Sequence, residues 1–182
     1  FAESFLAAGM VMQENPDVWL YLHTEPTPAM SGIDLRALLG ATGVPMDRVR
    51  FPDNYAYRMG IPKEALAAIY TAMDVLLQPS RGEGFGIPAV EAQACGTPVI
   101  VSNATAQPEL VGDGWLCDVQ PQWDVAQACW FFTPSVPSIV DNLKAAVAQG
   151  RGRSTKAIEF AQAYDADRVF DEYWRPALEV LL

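Results

Sequence analysis

Short runs that are apolar at every position, set apart by stretches with helical periodicity, constrain this chain more than any other feature. Val18-Trp19-Leu20-Tyr21-Leu22, Val75-Leu76-Leu77 and Val99-Ile100-Val101 leave neither of their alternating faces for water. Strands of this kind are buried on both sides, which requires helices on both faces of a parallel sheet. Helical spacing appears where that arrangement needs it. Phe1, Phe5, Ala8 and Met12 recur before the first run, and Asn15-Pro16-Asp17 ends that helix. A second helix is expected around Ile33, Leu35, Leu38 and Leu39, then a short strand at Val49-Arg50-Phe51. Lys63–Met73, Pro88–Ala94, Ser138–Val147 and Ser154–Ala163 read as helices, and Trp115-Leu116-Cys117 as one more strand. Thr24–Ser31 and Pro52–Pro62 read as loops. The final stretch places Phe170, Tyr173, Trp174, Ala177, Leu178 and Leu181 on one side of a helix, where core packing is the ordinary use of such a stripe. The expected fold is α/β, a Rossmann-like doubly wound parallel sheet forming a single domain over 1–182.

Composition narrows the partners. At 182 residues with 51% hydrophobic and 19% charged positions, the chain can bury a full core, so disorder is excluded. Twelve Lys and Arg against 22 Asp and Glu give a formal charge of −10, which argues against a nucleic-acid or anionic-membrane surface. No apolar run approaches the roughly 18 to 20 residues of a spanning helix, so solubility is the expectation. Cys95, Cys117 and Cys129 are odd in number and lack CxxC spacing, so neither a disulfide framework nor a zinc site is suggested and a reducing, cytoplasmic location is expected. The chain opens on Phe1, and a trimmed upstream segment is expected.

In doubly wound sheets ligands sit beyond the carboxyl ends of the strands. The loop after Leu77 carries the most information there: Pro79-Ser80-Arg81-Gly82-Glu83-Gly84-Phe85-Gly86-Ile87-Pro88. Glycines at 82, 84 and 86 are expected to take positive φ and to let a ligand approach, while the first amides of the next helix favour a phosphate. The pattern is neither the dinucleotide GxGxxG nor a Walker loop, and a tight turn alone accounts for it equally well. Two acids sharpen it. Glu91, with seven residues between it and Glu83, lies near the helix start, where an ionised carboxylate could accept two bonds from a vicinal diol such as a ribose. A glutamate is also favoured at that position with no ligand at all. Glu83 suits uncharged hydroxyls, or the amides of its own turn.

Between Met73 and Val111 the chain resembles the nucleotide-sugar signature of retaining GT-B glycosyltransferases, specifically family 4. The resemblance rests on Asp74-Val75-Leu76-Leu77-x-Pro79-Ser80, Glu83-Gly84-Phe85-Gly86-Ile87-Pro88, Glu91-Ala92, Gly96-Thr97-Pro98-Val99-Ile100 and Pro108-Glu109-Leu110-Val111. It implies that the chain is the carboxyl-terminal, donor-binding half of a GT-B fold, with the amino-terminal domain and the first strand of this half lying upstream of residue 1. Glu83 would then be the catalytic residue, contacting hydroxyls of the donor sugar, and Glu91 would hold the ribose. Amides of Gly84, Phe85, Gly86 and Ile87 would follow the sugar and diphosphate. Thr105 and Ala106 would approach the phosphates in a loop where the family usually has glycines, and Arg50 and Phe51 would frame the base. The family's diphosphate-neutralising Arg and Lys would also precede residue 1, leaving Arg81, Arg58 and Lys63 as local candidates.

The implied reaction moves a hexose, with retention, from a nucleoside diphosphate to an acceptor, the donor being a substrate with no cofactor or metal. Glu83 would not be a covalent nucleophile, since Glu91 is committed elsewhere. Asp165-Ala166-Asp167 has the form of a metal-binding DxD, but it opens a helix, where Asp is a favoured cap. His23 stands alone and is expected to be structural. Trp123, Trp130, Phe131 and Phe132 suit either an acceptor cleft or an aromatic core under a long loop, and the core is expected. Expected partners are the nucleotide-sugar donor and the upstream acceptor-binding domain. Membrane contact is expected only through that domain, and the exposed terminal stripe would favour a dimer of the fragment. A non-catalytic sugar-nucleotide module, a sugar-nucleotide epimerase and a plain phosphate-binding domain are the alternatives.

Overall fold

The computed structural model describes residues 1–27, 32–150 and 152–181. Residues 28–31 of the loop expected over Thr24–Ser31 lie outside them. In chain order the elements are α1 (Ala2–Glu14), β1 (Leu20–Tyr21), α2 (Leu35–Ala41), β2 (Val49–Arg50), α3 (Asn54–Met59), α4 (Lys63–Ala72), β3 (Leu76–Gln78), α5 (Ile87–Ala94), β4 (Val99–Ser102), β5 (Gly114–Cys117), β6 (Val119–Asp124), β7 (Cys129–Pro134), α6 (Val136–Gln149), α7 (Thr155–Ala161), α8 (Ala166–Val169) and α9 (Arg175–Leu181). Five residues of π-helix, Phe170–Trp174, join the last two.

The expected parallel α/β architecture is present. β3, β4 and β5 pair in that order, all parallel, with Leu77 beside Ile100 and Ile100 beside Trp115. Strand alternation then assigns each residue to a face. Leu77, Ile100, Trp115 and Cys117 point to a cluster completed by Ala7 and Val11 of α1 and by Ile139, Val140 and Leu143 of α6. Leu76, Val99 and Val101 point the other way, to Ala89 and Ala92 of α5 and Tyr70 of α4. Every residue of β4 is buried, as an apolar run at the centre of a two-sided sheet demands.

β1 and β2 form a second parallel pair, with Leu20 beside Val49, covered by Phe5, Ala8 and Met12 of α1 and Leu35 and Leu39 of α2. Thus α1 serves two clusters with two of its stripes. Gly9 lies on the same helix where Thr42 comes close, since a Cβ there would stand 2.8 Å from the Thr42 carbonyl oxygen. Arg48 closes the end of α1: its guanidinium donates to the carbonyls of Met12 (2.7 Å), Asn15 (3.0 Å) and Val18 (3.3 Å), a cation where helix carbonyls lack partners.

Three expectations are corrected. The segment 52–62 is not all loop, because Asp53 caps a helical turn by accepting from the Ala56 amide at 2.9 Å and so starts α3. Trp123, Trp130, Phe131 and Phe132 do not form core under a loop. They lie on an antiparallel hairpin, β6–β7, paired Trp123 to Trp130 and Pro121 to Phe132, and both tryptophans are about half exposed, at 48% and 57%. The terminal stripe is likewise not core packing: Phe170, Tyr173, Trp174, Leu178 and Leu181 are all exposed. No helix among the described residues is long and apolar enough to cross a membrane.

Candidate functional site

The turn from β3 to α5 stands at the carboxyl tips of the parallel strands, and hydrogen bonds from three sides hold it. The Ser102 hydroxyl at the end of β4 donates to the Ser80 carbonyl at 2.7 Å. The Phe132 amide of β7 donates to the Arg81 carbonyl at 2.8 Å. The Thr105 hydroxyl accepts from the Glu83 amide at 3.1 Å. Thr105 does this from φ 54°, a left-handed conformation that a β-branched residue adopts only at a cost on the order of 1 kcal/mol. The loop after β4 thus takes a left-handed, glycine-like backbone at Thr105 and adds a hydroxyl that joins it to the neighbouring turn.

The three glycines of the turn differ. Only Gly86 takes positive φ, at 104°, as the residue before the first turn of α5, so the expectation of left-handed backbone at 82 and 84 is corrected. A Cβ on Gly82 would make ordinary contacts of 3.9 Å to the Phe131 ring and to Thr105 Cγ2, and a Cβ on Gly84 would meet nothing within 4 Å. The fold requires glycine at 86 and leaves it optional at 82 and 84.

The two acids are held by different neighbours. Glu83 is half-buried, and its Oε1 accepts from the Ser80 hydroxyl at 2.6 Å. Glu91 is the fifth residue of α5, and its Oε2 accepts from the Tyr70 hydroxyl of α4 at 3.0 Å. Burial, the Glu91 charge and this hydrogen bond together push the Tyr70 phenol far above the ordinary tyrosine range, so it remains a donor to Glu91 at any physiological pH. Glu91 lines a groove of about 680 Å³ with Phe85, Ile87, Tyr164, Ala166 and Tyr173, and Glu83 is not part of its lining. The Phe85 ring stands edge-on to Tyr164 with centroids 5.7 Å apart.

The remaining candidates are distributed more widely. Ala106 is half-buried, directly ahead of the short 3-10 turn Gln107–Leu110. Arg50 lies on β2 with its guanidinium 4.4 Å from the centre of the Trp19 ring, donating to the carbonyls of Asp47 and Val49 at 2.9 Å each. Phe51 packs on the α1–α2 cluster beneath the Arg36 guanidinium. Among the described residues, no hydrogen bond or ring contact links either one to the glycine turn. Two of the local cations are already paired. Arg81 bridges to Glu3 of α1 at 2.6 Å, and Arg58 pairs with Glu25. Asp165 caps α8 by accepting from the Asp167 and Arg168 amides, both at 3.1 Å, and no cluster of three or more metal-ligating side chains occurs among the described residues. His23 contacts the Tyr21 hydroxyl at 2.9 Å and stands edge-on to Tyr57.

Residues 50–128, which contain this whole turn, match the family described as Glycosyl transferases group 1. That match makes the segment similar to glycosyl transferases of group 1. An O-antigen chain mannosyltransferase B of Escherichia coli is 48% identical over 56 residues, 31% of this chain and 15% of that protein. A D-inositol 3-phosphate glycosyltransferase of Corynebacterium kroppenstedtii is 34% identical over 112 residues, 62% of this chain and 24% of that protein. The chain thus spans under a quarter of the length of these relatives. Among solved structures, the C-terminal domain of a glycosyl transferase group 1 family protein (LpcC) from Francisella tularensis superposes with a TM-score of 0.59 over 94% of this chain and 78% of that one, at 24% identity, a likeness of fold.

Within the matched segment, sequence reasoning singled out the two acids but missed the residues that hold Glu91 and its helix in place. Tyr70 reads as a core aromatic of a helix, and nothing in its spacing marks it as the partner of Glu91. Gln93 is fully buried with all its hydrogen-bonding capacity used: Nε2 donates to Ala89 and Leu110 carbonyls at 2.8 and 2.7 Å, and Oε1 accepts from the Gly112 and Asp113 amides at 2.8 and 3.0 Å. A glutamine two residues after Glu91, on the opposite face of the same short helix, is the only signal the sequence offers for it.

Proposed function

We propose that residues 1–182 are the donor-binding domain of a retaining GT-B glycosyltransferase of family 4, acting with an acceptor-binding domain to move a hexose from a nucleoside-diphosphate sugar. Gly84 is the observation that carries the reading. It follows Glu83 directly in the turn at the strand tips, with open space over its Cα and no backbone need for glycine, as expected of a position that a ligand approaches. The names of the relatives, a mannosyltransferase and an inositol-phosphate glycosyltransferase, support transfer of a sugar.

On this reading Glu91, kept in place by Tyr70, accepts bonds from the ribose diol. The amides of Gly84 to Ile87 and the start of α5 stabilise charge that develops on the leaving diphosphate. Glu83, steadied by Ser80 and Thr105, orients the hexose by accepting from its hydroxyls, and the protein supplies no covalent nucleophile. Thr105 and Ala106 border the phosphates, and Arg50 and Phe51 lie toward the base.

Titration calorimetry with a free nucleoside diphosphate and with the matching diphosphate sugar tests the separation of roles. Glu91→Ala is expected to weaken both ligands, and Glu83→Ala chiefly the sugar-bearing one, each lost charge-assisted bond costing about 1.5 to 3 kcal/mol. Equal losses for both ligands in both variants would refute separate roles for the two acids.

A further inference from the structure

The donor reading uses one wall of the groove beside Glu91 and gives the facing wall no part. Phe85, Ile87 and Glu91 line it from the glycine turn and α5, whereas Tyr164, Val169 and Tyr173 line it from the end of the chain. Those three come from the 3-10 turn Gln162–Tyr164, from α8 and from the π-helix Phe170–Trp174. A π turn is rare and recurs at functional positions, and this one carries Tyr173. The tyrosines near Glu91 differ in what their hydroxyls do. Tyr70 donates to Glu91, but neither Tyr164 nor Tyr173 has a hydrogen-bond partner among the described residues. Tyr164 is nevertheless fixed in place. Its ring meets Phe85 and Phe160 with centroids 5.7 and 5.5 Å away, and Phe160 packs against Gly112, which has no room for a Cβ beside it. A half-buried phenol held in this way, with its hydroxyl unpaired, is preorganised for a partner that a ligand brings.

Resting on the donor reading above, we propose that this groove holds the ribose and diphosphate of the donor, and that Tyr164 and Tyr173 donate their hydroxyls to the diphosphate oxygens from the wall opposite α5. The groove has the space, since about 680 Å³ falls within the roughly 300 to 1,000 Å³ of small-ligand sites. Its lining also matches the order of the donor. Glu91, Ile87 and Phe85 line it and Glu83 does not, so ribose and diphosphate fall inside and the hexose beyond its end. Charge gives the phenols their task. Among the described residues Glu91 is the one charged group in the lining, and Arg81 and Arg58 are paired with Glu3 and Glu25. An anion there depends on neutral donors, which are the amides of the turn on one side and the two hydroxyls on the other.

Calorimetry on the 182-residue chain tests this with UDP, GDP and ADP, and with the parent nucleoside of whichever binds, measured by competition. Tyr164→Phe and Tyr173→Phe each remove one hydroxyl and keep the ring, so the melting temperature should stay at the wild-type value. Each variant is expected to weaken the nucleoside diphosphate about tenfold and to leave the nucleoside unchanged. Unchanged diphosphate affinity in both variants overturns the proposal, while a wild type that binds still sustains the donor reading. Equal losses for diphosphate and nucleoside overturn it as well, because the hydroxyls would then face the ribose or the base. A wild-type chain that binds none of the three nucleotides refutes the donor reading, and inorganic pyrophosphate then decides the wall by two-dimensional NMR. Shifts of the Tyr164 and Tyr173 amides that vanish in the double Phe variant would support the two phenols as anion donors, and no shift would overturn them.

Discussion

Gly84 separates what the fold needs from what a ligand needs. A methyl group there meets nothing in the protein, so Gly84→Ala should leave the melting temperature within about 2 °C of wild type, helped by the lower entropy of the unfolded chain. The same methyl would stand in the path of a bound diphosphate sugar, and affinity should fall about tenfold or more in calorimetry. Unchanged affinity would remove Gly84 from the site. Tyr70 acts at the same scale. Its phenol is kept protonated by its surroundings, so the hydrogen bond that sets the Glu91 carboxylate is insensitive to pH through the neutral range.

At the scale of elements, Gln93 connects α5 to the segment that leads into β5. Gln93→Leu keeps the volume and strands the Gly112 and Asp113 amides and the Leu110 carbonyl, each unpaired group costing about 1 to 3 kcal/mol. A loss of at least about 3 kcal/mol in urea unfolding, with an unchanged m-value, is the expected outcome. The parallel strands and the helices around them were legible because a continuous apolar run has one solution in a two-sided sheet, and Val99 to Val101 is the plainest case. The hairpin was not legible. Val119, Pro121 and Trp123 do alternate with Gln120 and Gln122, but prolines at 121 and 134 argue against strand, and the partner β7 begins with the apolar run Cys129 to Phe132, which hides its own alternation. At the candidate site, spacing and resemblance single out Glu83 and Glu91, whereas the hydroxyls of Tyr70 and Thr105 meet them through pairings between distant segments that no local pattern records. The left-handed Thr105 is the sharpest instance, since its residue type argues against its conformation.

For the whole molecule, the bridge from Glu3 to Arg81 ties the first helix to the turn that carries Glu83. Partial burial raises the affinity of Glu3 for its proton, but the Arg81 hydrogen bond, a bond from its own backbone amide and the nearby positive charges together outweigh it, leaving the carboxyl below its ordinary range. A carboxyl whose folded pKa is depressed contributes stability that is present above its unfolded value and disappears as pH falls through the folded one. Wild type should therefore exceed Glu3→Gln in stability at pH 7 by about 1 kcal/mol or less, given the half-exposed Arg81, and the two should converge under acid. Chemical denaturation at pH 7 and pH 3 checks it, and a gap that persists at pH 3 would argue against the bridge.

The two stripes of α1 have a further consequence. Ala7 and Val11 complete the cluster under β4, while Phe5, Ala8 and Met12 complete the one over β1 and β2. Neither half can expose its interior without pulling away the helix that seals the other, so the chain should unfold as one cooperative unit, with calorimetric and van't Hoff enthalpies in agreement.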